Sequence, residues 1–265
     1  MEQSWTGGYK IMDISVYRLM FAALLLIFPL IIFRTLNLKL SGQLFSSFVR
    51  MIVQLAIIGL ILQFIFNREN PWLTFLWMLV MLANAVLTLK GRLKFQKNIL
   101  LPVLILSLLT TTLIVMPWLI IVVLKPEPLF SPMFLIPIYG MILGNSMNNC
   151  SLALERFESG LSENWKAYYT RLSLGANQWE AVLPAFRKAM QAALMPELLT
   201  IASMGLVTLP GMMTGQILGG ASPLVAIKYQ MMIMIGIFSG VTITDYTAIN
   251  IYLRKRFDKF YLPKP

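Results

Sequence analysis

Seven stretches of the chain are apolar for long enough to cross a bilayer, and this constrains the fold more than any other feature. They lie near residues 16–33, 45–66, 72–89, 99–124, 132–153, 190–210 and 229–252. A spanning helix needs roughly 18 or more mostly apolar residues, because the hydrocarbon core is about 30 Å thick. Inside lipid every backbone N–H and C=O must be paired within the protein, which leaves helices or a closed barrel. Runs of this length select helices. The expected fold is all-α, a polytopic membrane protein with about seven transmembrane helices and a single membrane domain over residues 1–265.

Charge agrees with this reading. Only 12% of residues are charged and 58% are hydrophobic, with a mean hydropathy of +0.74. Soluble domains carry about 25% charged residues. The net charge is +11, but the basic residues sit in short loops between apolar runs, where they set orientation. The segments 34–44, 90–98 and 154–189 and the C-terminal tail together hold 16 Lys and Arg, Lys94, Lys97, Lys259 and Lys264 among them. The opposite loops hold four: Lys10, Arg68, Lys125 and Lys228. Arg18 and Arg50 lie in helix ends. The N-terminus is therefore expected outside and the C-terminus in the cytoplasm. The first run lacks a basic leader and an A-x-A-like site, so it reads as a retained helix. Without an RNP or helix-turn-helix signature, no nucleic-acid partner is expected.

The residue inventory removes several chemistries. The chain has no histidine and one cysteine, Cys150. That excludes an intrachain disulfide framework, a Ser-His-Asp triad and an HExxH zinc site. No GxxxxGK[ST] occurs, so no P-loop nucleotide site is expected on this chain. An enzyme is not expected, and the chain is expected to bind no cofactor of its own.

One internal cytoplasmic segment, 154–189, is long enough to fold. Ser162 with Glu163 reads as a helix start. Leu161, Trp165, Tyr168 and Leu172 recur at helical spacing, which suggests an amphipathic helix lying against the inner membrane face. Gly175 fits the left-handed position that ends it. Asn177 followed by Glu180 resembles a capping box that starts a second helix, and Pro184 is expected to stop that helix after about two turns.

Polar groups inside the apolar runs mark candidate sites. Asn145, Asn148 and Asn149 fall at i, i+3 and i+4 on the fifth run, so they share one helical face. Such a stripe should face protein or a water-filled path. Gly140 and Gly144 on the same run form a GxxxG pair suited to close helix contact. The stretch Gly205 to Pro223 carries five glycines, two prolines and no charge. Broken apolar segments of this kind line a cavity or sit buried in protein. Its Met212, Met213 and Gln216 are the polarizable or polar groups there. Glu197 and Asp245 are the carboxylates expected at membrane depth. They are either metal ligands or partners of interfacial cations.

Three segments together resemble one family: IPIYGMILGNSMNN at 136–149, LSLGANQWEA at 172–181, and GLVTLPGMMTGQILGG followed by AIKYQMMIM at 205–234. They look like the Fet-type iron-export permeases, an uncharacterised-protein-family lineage that includes plant aluminium-tolerance half-transporters. The resemblance implies a permease subunit of an ABC transporter in a bacterial inner membrane. It would form a homodimer in membrane lipid and be powered by a separate ABC ATPase that binds ATP and Mg2+. Iron or a related metal species would be exported. In that reading Gly175, Ala176, Asn177, Trp179, Glu180 and Val182 form the ATPase-coupling segment. Asn145, Asn148, Asn149, Gly211, Gly215 and Gln216 line the substrate path or the dimer interface. Met212, Met213, Glu197 and Asp245 are the metal-ligand candidates. The alternative is a secondary transporter or channel for a metal or small solute that works without an ATPase.

Overall fold

The computed structural model describes residues 14–93, 95 and 97–258. Lys10, Lys94, Lys259 and Lys264, which enter the charge count, lie outside the described residues. Among the described residues, ten α-helices dominate, and an isolated bridge joins Met204 and Thr208. Five helices are long and apolar enough to cross a membrane: Tyr17–Thr35, Ser41–Arg68, Pro71–Arg92, Ile99–Leu124 and Pro223–Arg256. The chain divides into two compact units, residues up to Glu69 with Leu218–Gly220, and the remainder.

The first unit holds α1 (Val16–Ala23), a 3-10 turn (Leu24–Leu26), α2 (Ile27–Thr35) and α3 (Ser41–Arg68). Its side chains point outward. Along the 28 residues of α3 only Ile65 is buried, and Phe45 and Leu60 are each more than 70% exposed. An apolar helix of this kind is stable in lipid, whose tails are as apolar as leucine.

The second unit holds α4 (Pro71–Arg92), α5 (Lys97–Pro117) continued by a π-helical segment (Trp118–Leu124), α6 (Pro132–Glu163), α7 (Trp165–Ser173), α8 (Gln178–Ser203), α9 (Gly211–Leu218) and α10 (Pro223–Arg256). α10 packs along α5 and α6, and α6 also packs on α8 and α4. Small residues allow the close crossings. On α10, Gly236, Gly240, Thr244 and Ala248 repeat every four residues. A Cβ on Gly236 would stand 2.6 Å from Leu119 Cδ1, and one on Gly240 would stand 3.0 Å from Ile142 Cγ2. On α8, Ala181, Ala185, Ala189 and Ala193 repeat in the same way, and Ala181, Ala189 and Ala193 are buried. A Cβ on Gly160 of α6 would meet Ala185 Cβ at 3.6 Å. Without a hydrophobic drive between helices in lipid, small-xxx-small contacts of this type are what hold them together.

Three local expectations are corrected. Ser162 does not start a helix; α6 runs through it to Glu163, and the break falls at Asn164. Pro184 does not stop α8, which continues through Pro184 and Pro196 to Ser203. An interior proline costs about 3 kcal/mol. The buried face of Ala181, Val182, Phe186, Ala189 and Ala193 supplies the packing that outweighs it. Thus residues 190–203 of the run 190–210 are the distal part of α8 rather than a separate helix, and the rest is a turn. The stripe of Leu161, Trp165, Tyr168 and Leu172 is also not laid on lipid. Leu161 and Tyr168 are buried in protein, and Tyr168 meets Phe257 at 5.5 Å. Trp165 meets Phe257 at 6.1 Å.

Candidate functional site

Polar side chains of α5, α6, α8 and α10 lie where these helices pack on one another. On α6, Met141, Asn145 and Asn149 are one turn apart. Asn145 Nδ2 donates to the Met141 carbonyl at 2.8 Å, and Asn149 Nδ2 donates to the Asn145 carbonyl at 3.1 Å. Asn149 Nδ2 also donates to Glu197 Oε1 of α8 at 2.9 Å. This bond joins residues 48 positions apart and orients the Glu197 carboxylate. Asn149 is buried, Asn145 is half-buried, and Asn148 is exposed. The predicted three-amide face is therefore split. The 100° step per residue carries Asn148 outward while Asn145 and Asn149 stay on the α8 side.

Asp245 of α10 completes the cluster. Its residue surface is 0% exposed, and neither carboxylate oxygen has a hydrogen-bond partner among the described residues. Glu197 lies close enough to act on it electrostatically, and so does the buried thiol of Cys150. Ser107 Oγ of α5, buried in the same bundle, donates to the Leu104 carbonyl at 3.2 Å. Next to Asp245 in the chain, Thr244 shares a 2.6 Å hydroxyl contact with Thr111, whose Oγ1 also donates to the Gly240 carbonyl at 3.3 Å. Ser146 Oγ is buried there without a partner among the described residues. The expectation that either carboxylate pairs with an interfacial cation is not met. The ion pair found among the described residues joins Arg256 to Glu158 at 3.5 Å, and Tyr252 OH donates to the same Glu158 at 2.8 Å.

Sequence reasoning named Asn145, Asn149, Glu197 and Asp245 but did not bring them together. It missed Ser107, Thr111, Ser146, Cys150 and Thr244. The available signal was the four-residue repeat of small groups at 236, 240, 244 and 248, which marks the face of α10 on which Asp245 sits beside Thr244.

The broken stretch is a helix end, a turn, a short helix and a second turn. Gly205 has φ +87° and its N–H donates to the Thr208 carbonyl at 2.9 Å. α9 then runs for 8 residues, about 12 Å, far short of a membrane crossing. Gly220, φ +95°, turns the chain into α10. A Cβ on Gly211 or Gly215 would meet nothing within 4 Å, so the expected close backbone approach does not occur within this chain. Met212 packs against the core, Met213 is half-buried, and the Gln216 Oε1 atom is buried without a partner among the described residues. No group of three or more His, Cys, Asp or Glu side chains gathers among the described residues.

At the far end of α6, Gly175 takes φ +91° and its N–H donates to Leu172 O at 3.0 Å. Asn177 and Glu180 form the reciprocal capping box, with bonds of 2.9 and 2.8 Å. Of the two large apolar groups in the expected coupling segment, Trp179 is 39% exposed and rests edge-on against Phe186, while Val182 is 0% exposed. Val182 therefore belongs to the interior, because three residues on from Trp179 the helix has turned toward α6. Leu174, 82% exposed at the tip, is the apolar group that projects.

Comparison with known proteins matches the chain, over residues 16–257, to an uncharacterised protein family, UPF0014. It is 37% identical to the UPF0014 membrane protein slr1647 of Synechocystis sp., covering 84% of this chain and 86% of that one. It is 34% identical to Protein ALUMINUM SENSITIVE 3 of Arabidopsis thaliana, covering 85% and 81%. It is 33% identical to the probable iron export permease protein FetB of Escherichia coli, covering 94% and 93%. No solved structure matches. The chain is thus a multi-pass membrane protein that belongs to the UPF0014 family.

Proposed function

We propose that this chain is the permease subunit of an ABC transporter that exports iron or a related metal species, with two copies joined to a separate ATPase. The observation that carries this reading is the 33% identity to a protein named as a probable iron export permease, across nearly the full length of both chains. The resemblance of residues 136–149, 172–181 and 205–234 points the same way. In this reading α6 and α8 complete seven crossings, with the N-terminus outside and the C-terminus in the cytoplasm of a bacterial cell. Energy reaches the bundle through the turn between α7 and α8. That turn is stiff, because Gly175 closes α7 and the Asn177–Glu180 box opens α8. Its helix continues unbroken past Pro184 to Glu197, so a push at the tip moves the carboxylate end of α8. Leu174, Trp179 and the exposed backbone near Ala176 are the docking groups.

The test is co-purification with the partner ATPase. Leu174→Ala with Trp179→Ala should leave the permease inserted and weaken ATPase association at least ~10-fold, since buried apolar anchors dominate compact contacts. A double variant that binds and stimulates the ATPase like the parent would remove this turn from the coupling role.

A further inference from the structure

We infer that the cleft where α6 ends and α7 and α8 begin binds a phosphate anion, supplied by the headgroup of an anionic phospholipid. The site goes beyond the transport reading and does not depend on what is exported. Gly160 of α6 crosses α8 at Ala185, where an added Cβ would stand 3.6 Å from Ala185 Cβ. Beside that crossing lies a cleft of about 150 Å3, with Arg171, Lys188, Glu163 and Tyr168 in its walls. Arg171 is half-buried and Lys188 is exposed. Arg171 Nη1 donates to the Ala181 carbonyl at 3.1 Å, which fixes the guanidinium in the wall. A guanidinium carries five N–H donors, so one such bond leaves others for an anion. Among the described residues, no carboxylate is within ion-pair distance of Arg171 or Lys188. Two cations line the cleft against the single carboxylate of Glu163, so the lining is net positive.

Size decides which anion fits. Pockets for organic ligands start at roughly 300 Å3, twice the volume of this cleft. A phosphate group can enter it, and a whole nucleotide cannot. Depth decides where the phosphate comes from. On α10, the exposed Lys228 and Arg254 are 26 residues apart, which is about 39 Å of helix. A bilayer measures roughly 40–45 Å from headgroup to headgroup. With Lys228 in one headgroup layer, the Arg254 end of α10 therefore lies in the other. α7 is level with that end, because Trp165 and Tyr168 meet Phe257 at 6.1 and 5.5 Å. The end of α6 is level with it too, because Glu158 pairs with Arg256. Trp165 also stacks on the exposed Tyr169 at 5.8 Å, and such aromatic rings settle at membrane–water interfaces. A basic pocket between membrane helices at this depth is placed to take lipid phosphates.

The experiment is native mass spectrometry of the full chain in a non-ionic detergent, with phosphatidylglycerol and phosphatidylcholine of equal chain length at equal concentration. The parent should retain phosphatidylglycerol in preference. Arg171→Gln and Lys188→Gln should each weaken its binding about 5-fold, the factor that corresponds to about 1 kcal/mol per basic residue near an anionic surface. Glu163→Gln should strengthen it by about the same factor, since it removes the opposing charge. The exposed Lys39→Gln, an equal loss of charge outside the cleft, should bind like the parent. If Arg171→Gln misfolds through loss of its bond to Ala181, Lys188→Gln and Glu163→Gln carry the test. Equal losses in Lys39→Gln and Lys188→Gln, with no gain in Glu163→Gln, would reduce the effect to general surface charge and overturn the site. Displacement of phosphatidylglycerol by an equal concentration of inorganic phosphate would overturn the lipid source in favour of a soluble phosphate. Unchanged phosphatidylglycerol binding with lost ATPase association in Lys188→Gln would also overturn it, and give the cleft to an acidic group of the partner.

Discussion

The glycines of α10 and those of the stretch 205–223 look alike in sequence and behave oppositely in the structure. Gly236 and Gly240 lie in a continuous helix where a Cβ would meet Leu119, Ile142 or Thr111 at 3.1 Å or less. A Cβ on Gly211 or Gly215 would meet nothing within 4 Å, while Gly205 and Gly220 are needed for their positive φ. In the first region glycine sets how closely α10 approaches α5 and α6. In the second it shapes the backbone, or leaves room for something outside this chain. Frequency of glycine therefore drew attention to 205–223, whereas spacing of small residues is what marks the tightly packed bundle.

The largest expected effect comes from breaking the close crossing. Gly236→Leu should destabilise the folded protein by about 3 kcal/mol, because the added Cβ alone would stand 2.6 Å from Leu119 Cδ1 and the overpacking forces helices apart. Monodispersity in detergent and melting temperature would check it. A variant that behaves like the parent would mean α10 and the Leu119 segment are not packed as described. Next is Asn177→Ala, which removes one half of the capping box and should cost about 1 kcal/mol, seen as faster amide exchange over residues 177–181. The smallest effect is Gly215→Ala, in an open helical position, which should stabilise by roughly 0.5–1 kcal/mol. Its bulky counterpart Gly215→Leu should fold normally. A selective loss of transport in that variant would show that a second copy or the cargo uses this face, and unchanged transport would remove Gly215 from the path.

Much of this architecture is legible in the sequence for a plain physical reason. Helices in lipid are specified by run length, so α3, α4 and α5 emerge from hydropathy alone. Gly175 and the Asn177–Glu180 pair were also legible, because turns and caps depend on residues adjacent in the chain. The continuation of α8 through Pro184 was not. There a local rule against proline yields to a four-residue alanine repeat packed on α6, which is a tertiary gain. The site divides along the same line. Asn149, Glu197 and Asp245 each stand out as polar groups in apolar runs. That Asn149 holds Glu197 while Asp245 is buried without a partner among the described residues depends on how the helices cross, and no sequence separation encodes that directly. Val182 was grouped with Trp179 in the coupling segment, but the roughly 60° that three residues leave between them is enough to bury Val182 while Trp179 stays partly exposed.

The central claim is that this chain moves metal only when a separate ATPase drives it. The direct measurement is iron flux in proteoliposomes containing the purified permease, with and without the partner ATPase and ATP-Mg. The account predicts flux that requires both, and that falls to background when the ATPase is omitted or ATP is replaced by a non-hydrolysable analogue. Flux of equal size from the permease alone would contradict it and identify a secondary transporter or channel instead.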